Sequence, residues 1–575
     1  MASRANSVRT DHYYGGEGEN ASSSMVSDRS RLVFAATDFA YYGAEDEEDA
    51  LRRSKSSPAV RKIAGRVSAK SRHASTSGHD SRERRPYHYG PRDVESRDAL
   101  SSRYRYYARL DPRSDGLLRM PDHVVPLNFF SINPFLEEKP DAKQSSIVTI
   151  FSIWNTMMGT ALLSMPWALE QAGFALGLFI MLFAVSIAFY TAYRVVQSPI
   201  GLGLPGGLSV EFSDVCRYYW GRAGELVAVV FSIAVLIGGC VIYWVLMSNF
   251  LYHTGTVIYT SIKENASMSL IRNESLSCDV YCDPGLLLVH RPDTFHQWWH
   301  LQHTVPLYLA FLAFPLLNFE SPTFFTKFNG LGTVSVVYLL SFVMAKLGEC
   351  GLHLDFSAPV GSPAYIPLAK GTFPALSGIL TLSYFIHNCV LSILRNQRNP
   401  ENNVRDLTWG YVLVFATYLI IAVFFYAAFP LAKDCIADNF LNNFTDGDVL
   451  SSIARLFLLF QMLVVFPLLV YLIRAQLSWY LVGSAYPGLK WVLLCNSSIV
   501  LVCILVAVFF PSVGTIIRFV GSLSGSVYIF TLPCAVHLVK LSRNNQLTIS
   551  SCIFHGFVIV LGVANFIAQF LIPQQ

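Results

Sequence analysis

From Ile147 onward the chain is a succession of apolar stretches, most of them long enough to cross a bilayer, separated by polar loops. Eleven spans are expected, at about 147–172, 174–197, 225–261, 304–320, 327–349, 374–395, 407–430, 449–482, 488–511, 513–540 and 550–573. A helix needs about 20 apolar residues to traverse hydrocarbon. In lipid, backbone N–H and C=O groups must pair within the protein, which leaves only helices or closed barrels. Continuous runs of this length select helices, so the expected class is an all-α polytopic membrane protein. Charge sharpens the division: 24 of the 43 Lys and Arg lie before Ser145. Residues 1–83 are too polar to offset their ordering entropy and are expected to be a disordered cytosolic tail. Residues 84–143 differ in their Tyr and Arg content, with Tyr87, Tyr106, Tyr107, Arg109 and His123 as candidate anchors for a partner. Residues 144–575 form the membrane domain.

The first span contains a contradiction. Asn155-Thr156-Met157-Met158-Gly159-Thr160 places an amide, two hydroxyls and a glycine at membrane depth, and Pro166 follows. Small residues ease helix–helix contact, which is the plain explanation. The alternative is a helix broken to line a cavity, with its freed backbone groups turned toward a ligand. Span six repeats the pattern: Phe385-Ile386-His387-Asn388-Cys389 interrupts an apolar helix behind Gly378 and Thr381. Interrupted helices in corresponding positions of two five-span halves point to a secondary transporter's site. Their N–H groups suit a carboxylate and their carbonyls suit an ammonium or a cation, so an amino acid fits the pair. The candidate substrate residues are Asn155, Thr156, Met157, Met158, Gly159, Thr160, His387 and Asn388. Gln461, before Pro467, reads as a helix–helix hydrogen bond, and Gly521 to Ser526 as close helix packing.

Loop charge sets the expected orientation. Arg194, Arg217, Arg222, Lys327, Arg395, Arg398, Arg405, Lys540 and Arg543 fall on one side, which the positive-inside rule places in the cytosol with the N-terminus. An odd number of spans then puts the C-terminus on the lumenal side. The sequons at Asn265, Asn273 and Asn443 fall on that opposite face, where glycans are added; those at Asn20 and Asn496 do not. Cys278, Cys282 and Cys435 lie in the same two loops. A disulfide from Cys278 or Cys282 to Cys435 is expected there, with zinc binding by Cys278 and Cys282 the weaker reading. No phosphate-binding glycine loop, catalytic triad or intramembrane carboxylate pair is present, so neither an ATP-driven pump nor an enzyme is expected.

Several longer motifs carry a resemblance. They run from Ile150-Phe151 through Pro166-Trp167-Ala168 to Gln171-Ala172-Gly173-Phe174. They continue at Tyr243-Trp244-Val245-Leu246-Met247-Ser248-Asn249-Phe250-Leu251, Glu401-Asn402-Asn403-Val404-Arg405-Asp406-Leu407 and Leu561-Gly562-Val563-Ala564-Asn565. From about residue 84 to its end the chain resembles the amino acid/auxin permease family, and within it a lysosomal, arginine-sensing branch. The resemblance implies a leucine-transporter-like five-plus-five inverted repeat with an eleventh helix. It implies arginine bound at Asn155 to Thr160, export of leucine and other neutral amino acids from the late endosome or lysosome, and no cofactor beyond sodium. It also implies that residues 84–126 dock Ragulator and the Rag GTPases and so signal to the TOR growth kinase. Two alternatives are a non-transporting receptor of the same fold and a plain plasma-membrane symporter. In the family pattern a Thr and a Tyr stand where this chain has Val464 and Phe466, and a Ser where it has Ala161. These changes remove oxygen ligands that a sodium ion wants and count against sodium coupling, leaving Asn155 as the candidate sodium ligand.

Overall fold

The computed structural model describes residues 144–202, 210–264, 278, 280–282, 294–318, 330–359, 362, 364–395, 397–482 and 488–572. The tail residues Tyr87, Tyr106, Tyr107, Arg109 and His123, and the sequons at Asn265 and Asn273, lie outside them. Fourteen helices carry the architecture: α1 (Ser146–Met157), α2 (Met165–Ala172), α3 (Phe174–Gln197), α4 (Phe212–Glu264), α5 (Val305–Leu317), α6 (Gly330–Cys350), α7 (Pro374–Ser383), α8 (Val390–Arg395), α9 (Asn403–Ala428), α10 (Val449–Val482), α11 (Leu489–Phe509), α12 (Val513–Gly525), α13 (Leu532–Arg543) and α14 (Ile549–Ala568). Among the described residues, β pairing is confined to two isolated bridges, Gln144 with Gln397 and Val280 with Phe444.

Among the described residues, eight segments are long and apolar enough to span a bilayer, and the bent pair α1/α2 makes a ninth. The shorter apolar helices α5 and α7 bring the number to eleven, matching the hydropathy pattern. The interruptions recur five spans apart, at spans one and six, as a leucine-transporter-like repeat requires, and span eleven (α14) follows outside it. Prolines mark three starts: Pro166, Pro374 and Pro533 sit in the first turns of α2, α7 and α13; Pro374 opens span six, where the missing N–H costs nothing. Span ten holds a third irregularity, a π-helical turn at Ser526–Thr531 between α12 and α13. The proline at 533 has no N–H to return to the carbonyl four residues back, inside that turn.

Close packing fixes α7 against α12. A Cβ on Gly521 would lie 2.5 Å from the Gly378 carbonyl oxygen, and one on Gly525 would lie 1.9 Å from Thr381 Cγ2. The Gly/Ser run of span ten is thus a backbone-to-backbone seam. At one end of the bundle the residues around 280 pair with those around 443, and Cys282 is disulfide-bonded to Cys435. Cys278 stays free and buried. Nearby, Lys433 donates to the Tyr426 and Phe429 carbonyls at 2.7 and 2.6 Å, capping α9. Burial pushes its amine down to about 8.

The sequon at Asn443 lies inside this packing. Asn443 is 1% exposed; its Nδ2 donates to the Tyr281 and Cys435 carbonyls and its Oδ1 accepts from the Ala437 amide. A glycan would have to replace those bonds, so the packing gives Asn443 the part of a bracket that holds the loops together. Alkylation of the unfolded, unreduced protein is expected to label nine of the eleven cysteines, and all eleven after reduction. Eleven labelled without reductant would show that Cys282 and Cys435 are not joined.

Candidate functional site

The first span unwinds where its sequence stops favouring a helix. α1 ends at Met157, Met158 and Gly159 are extended, and a tight turn over Thr160–Ser164 leads into α2 at a bend of 58°. Met157, Met158 and Thr160 are buried, whereas Gly159 is exposed. A Cβ built on Gly159 meets nothing nearer than the Met157 carbonyl oxygen, 4.0 Å away. The break therefore faces open space, bordered by the last carbonyls of α1 and the first N–H groups of the following turn. Thr156 points elsewhere, donating at 2.7 Å to the Ser152 carbonyl one turn back.

The second break spans Tyr384 to Cys389, between α7 and α8. His387 lies at this break with one ring nitrogen engaged and the other, Nδ1, buried without a hydrogen-bond partner. It is fully buried, with Nε2 2.9 Å from Thr191 Oγ1 of α3. The Thr191 hydroxyl lies within reach of the Ile187 and Ala188 carbonyls, to which it gives its proton, so Nε2–H is the donor to it. Asn388 is partly buried and reaches Ser232 Oγ of α4 at 3.5 Å. These residues brace the break against α3 and α4.

Span seven (α9) fastens both breaks. Trp154 Nε1 donates to Thr417 Oγ1 at 3.0 Å, Tyr411 OH to the Tyr384 carbonyl at 3.3 Å, and Tyr418 OH to the Met157 carbonyl at 2.7 Å. At the disulfide end, residues 367–372 bind the junction of α2 and α3. Phe174 N–H donates to the Pro367 carbonyl, Leu176 N–H to that of Leu368, and Thr372 Oγ1 to that of Gln171. Lys370 pairs with buried Glu170. Gly173 makes this possible: its φ is +81°, and a Cβ would lie 2.7 Å from the Ala369 backbone. At the opposite end, Arg398 N–H donates to the Gln144 carbonyl and buried Gln397 bonds Asp406.

A bundle of eleven apolar segments with an open break in its first span is the setting in which family membership has meaning. The model of the transmembrane amino acid transporter protein family matches residues 142–572. The chain belongs to that family. It is 54% identical over 496 residues to the sodium-coupled neutral amino acid transporter 9 homolog of Caenorhabditis elegans, covering 82% of this chain and 80% of that one. It is 43% identical over 525 residues to neutral amino acid transporter 9 of Danio rerio, covering 85% and 96%. Vacuolar amino acid transporter 2 of Saccharomyces cerevisiae is 21% identical over 444 residues, covering 75% and 84%.

For this family member the first break is the candidate substrate site, and Asn155 stands one turn before it. Asn155 Oδ1 accepts from Thr333 Oγ1 of α6 at 3.2 Å. A Cβ on Gly332 would meet Gln461 Nε2 and Asn155 Oδ1 at 2.9 and 3.2 Å, so span eight's amide lies beside Asn155. Gln461 Oε1 is buried without a hydrogen-bond partner. Val464 packs with Leu468 against Leu316 of α5, and the Phe466 ring lies 5.3 Å from that of Trp244. The polar neighbour of Asn155 in span eight is therefore Gln461. Sequence reasoning missed that, and it missed Tyr418, because an amide or a phenol in an apolar helix reads first as packing.

Gly159→Leu projects into the open space and is expected to leave the protein folded while weakening amino-acid binding at least about tenfold, read by a purified-protein binding assay. Unchanged binding would remove the site from this break. His387→Phe is expected to lower thermal stability by about 1 kcal/mol, one buried hydrogen bond, with affinity kept within about twofold; a tenfold affinity loss would make His387 a ligand.

Proposed function

We propose that this protein is a lysosomal amino-acid transporter that also senses arginine. The observation that carries the reading is the open break at Gly159 in a chain of the amino acid transporter family. An amino acid presents an ammonium and a carboxylate. The last carbonyls of α1 and α7 are the negative ends of two half-helices and suit the ammonium, while the N–H groups opening the Thr160–Ser164 turn suit the carboxylate. Arginine occupying Asn155 to Thr160 admits release of leucine and other neutral amino acids into the cytosol by alternating access. Family membership supports an amino acid as cargo, and the yeast relative's vacuolar name supports an acidic compartment.

The coupling ion we propose is sodium, which takes oxygen ligands. Asn155 Oδ1 and Thr333 Oγ1 offer two side-chain oxygens between spans one and five, with the Gln461 amide of span eight beside them, and the C. elegans relative is named as sodium-coupled. Residues 84–126, with Tyr87, Tyr106, Tyr107, Arg109 and His123, are proposed to dock Ragulator and the Rag GTPases, so that site occupancy reaches the TOR growth kinase. The cytosolic N-terminus and the lumenal C-terminus follow from the loop charges.

Proteoliposomes loaded with labelled leucine test the transport reading. Arginine in the leucine-containing compartment is expected to stimulate efflux, and replacing sodium with an impermeant cation to slow it at least about threefold. Arginine binding without any leucine flux would favour a receptor of the same fold; flux indifferent to sodium would overturn the coupling ion. A peptide of residues 84–126 is expected to co-purify Ragulator and the Rag GTPases from extract, and its failure would favour a plain symporter.

A further inference from the structure

Both half-helices end deep in the bundle. α1 stops at Met157 and α7 at Ser383, and each leaves carbonyls with no partner within its own helix. One side chain attends to both. Tyr418 of α9 is fully buried, and its hydroxyl lies 2.7 Å from the Met157 carbonyl oxygen and 3.5 Å from that of Ser383. The ring packs edge-on against Tyr384 at 5.9 Å, and Thr417, its chain neighbour, is pinned by Trp154.

A phenol has a single proton. It satisfies Met157 at the shorter distance and leaves Ser383 underserved. An ammonium has three N–H donors and a full charge, so it can satisfy both carbonyls together and more strongly. We propose that the Tyr418 hydroxyl is a built-in stand-in for the substrate's ammonium, capping the two breaks while the carrier is empty and yielding to the amino acid when it binds. Tyr418 is a positioning residue in this scheme, and the proposal rests on the transport reading above. Its consequence is specific to one part of the cycle. A carrier that has released its cargo must return with its breaks capped, whereas a loaded carrier brings its own cap.

Removing the hydroxyl therefore slows the empty return and spares exchange. For Tyr418→Phe in proteoliposomes, leucine–leucine exchange is expected within about twofold of wild type. Net leucine efflux into amino-acid-free buffer is expected to fall about tenfold, the factor equivalent to about 1.4 kcal/mol. Exchange and net efflux falling in parallel, or neither falling, would overturn the proposal. An independent measurement keeps the hydroxyl: 3-fluorotyrosine in place of Tyr418 is expected to shift its fluorine resonance on saturation with leucine. An unmoved resonance, with leucine binding measured in the same sample, would overturn it equally. If the wild-type protein exchanges no leucine at all, the transport reading fails, and the fluorine shift still decides whether Tyr418 yields to a bound amino acid.

Discussion

A backbone carbonyl left bare in lipid costs several kcal/mol, and this protein ends two helices in the middle of its bundle. Everything distinctive in its interior answers that debt. At the first break the Tyr418 hydroxyl donates to the Met157 carbonyl; at the second, Tyr411 donates to the Tyr384 carbonyl. Both donors stand on α9, which also holds α1 through Trp154 and Thr417. Span seven is therefore the common support of the two irregular helices. Its phenols and hydroxyl supply what water supplies at a helix end in a soluble protein.

The ends of the broken spans are constrained in a different way. Beside the disulfide end, the backbone of residues 367–372 runs along the α2–α3 junction, with the Glu170–Lys370 pair across it. At the other end, Gln144 meets Gln397 and Arg398, while Arg405 and Asp406 lie alongside. Spans one and six are thus linked near both ends, yet between those links Gly159 opens on free space. Rigid ends around an unfilled middle suit a site that must hold a small zwitterion and then release it.

Much of this was legible in the sequence. Glycine at 159 with proline at 166, and a polar run at 385–389 in an apolar helix, are signals that only a broken helix accommodates well, and eleven hydropathy maxima give eleven segments. Partners across the bundle were not legible. The sequence puts His387 at the break without showing Thr191 beside it, and Val464 looks like a lost cation ligand until Gln461 is found next to Asn155. A sequon is a three-residue pattern and says nothing of burial, which is why Asn443 reads as a glycan site yet serves as an internal bracket. The π-helical turn before Pro533 was likewise hidden, because proline alone does not say how the preceding turn will relax.

The seam between α7 and α12 has a mechanical corollary. Where side chains separate two helices, rotamer changes let one slide past the other. Here Gly378 and Gly521 bring backbone against backbone and Gly525 seats the Thr381 methyl, so a single added carbon would collide. Contacts this close leave little slack to absorb shear. The first half of span six and the first half of span ten must then travel as one body, and any rocking of span six carries span ten's π-helical turn with it. That turn, with its hydrogen-bond ladder already loosened, is the natural flexure of the pair.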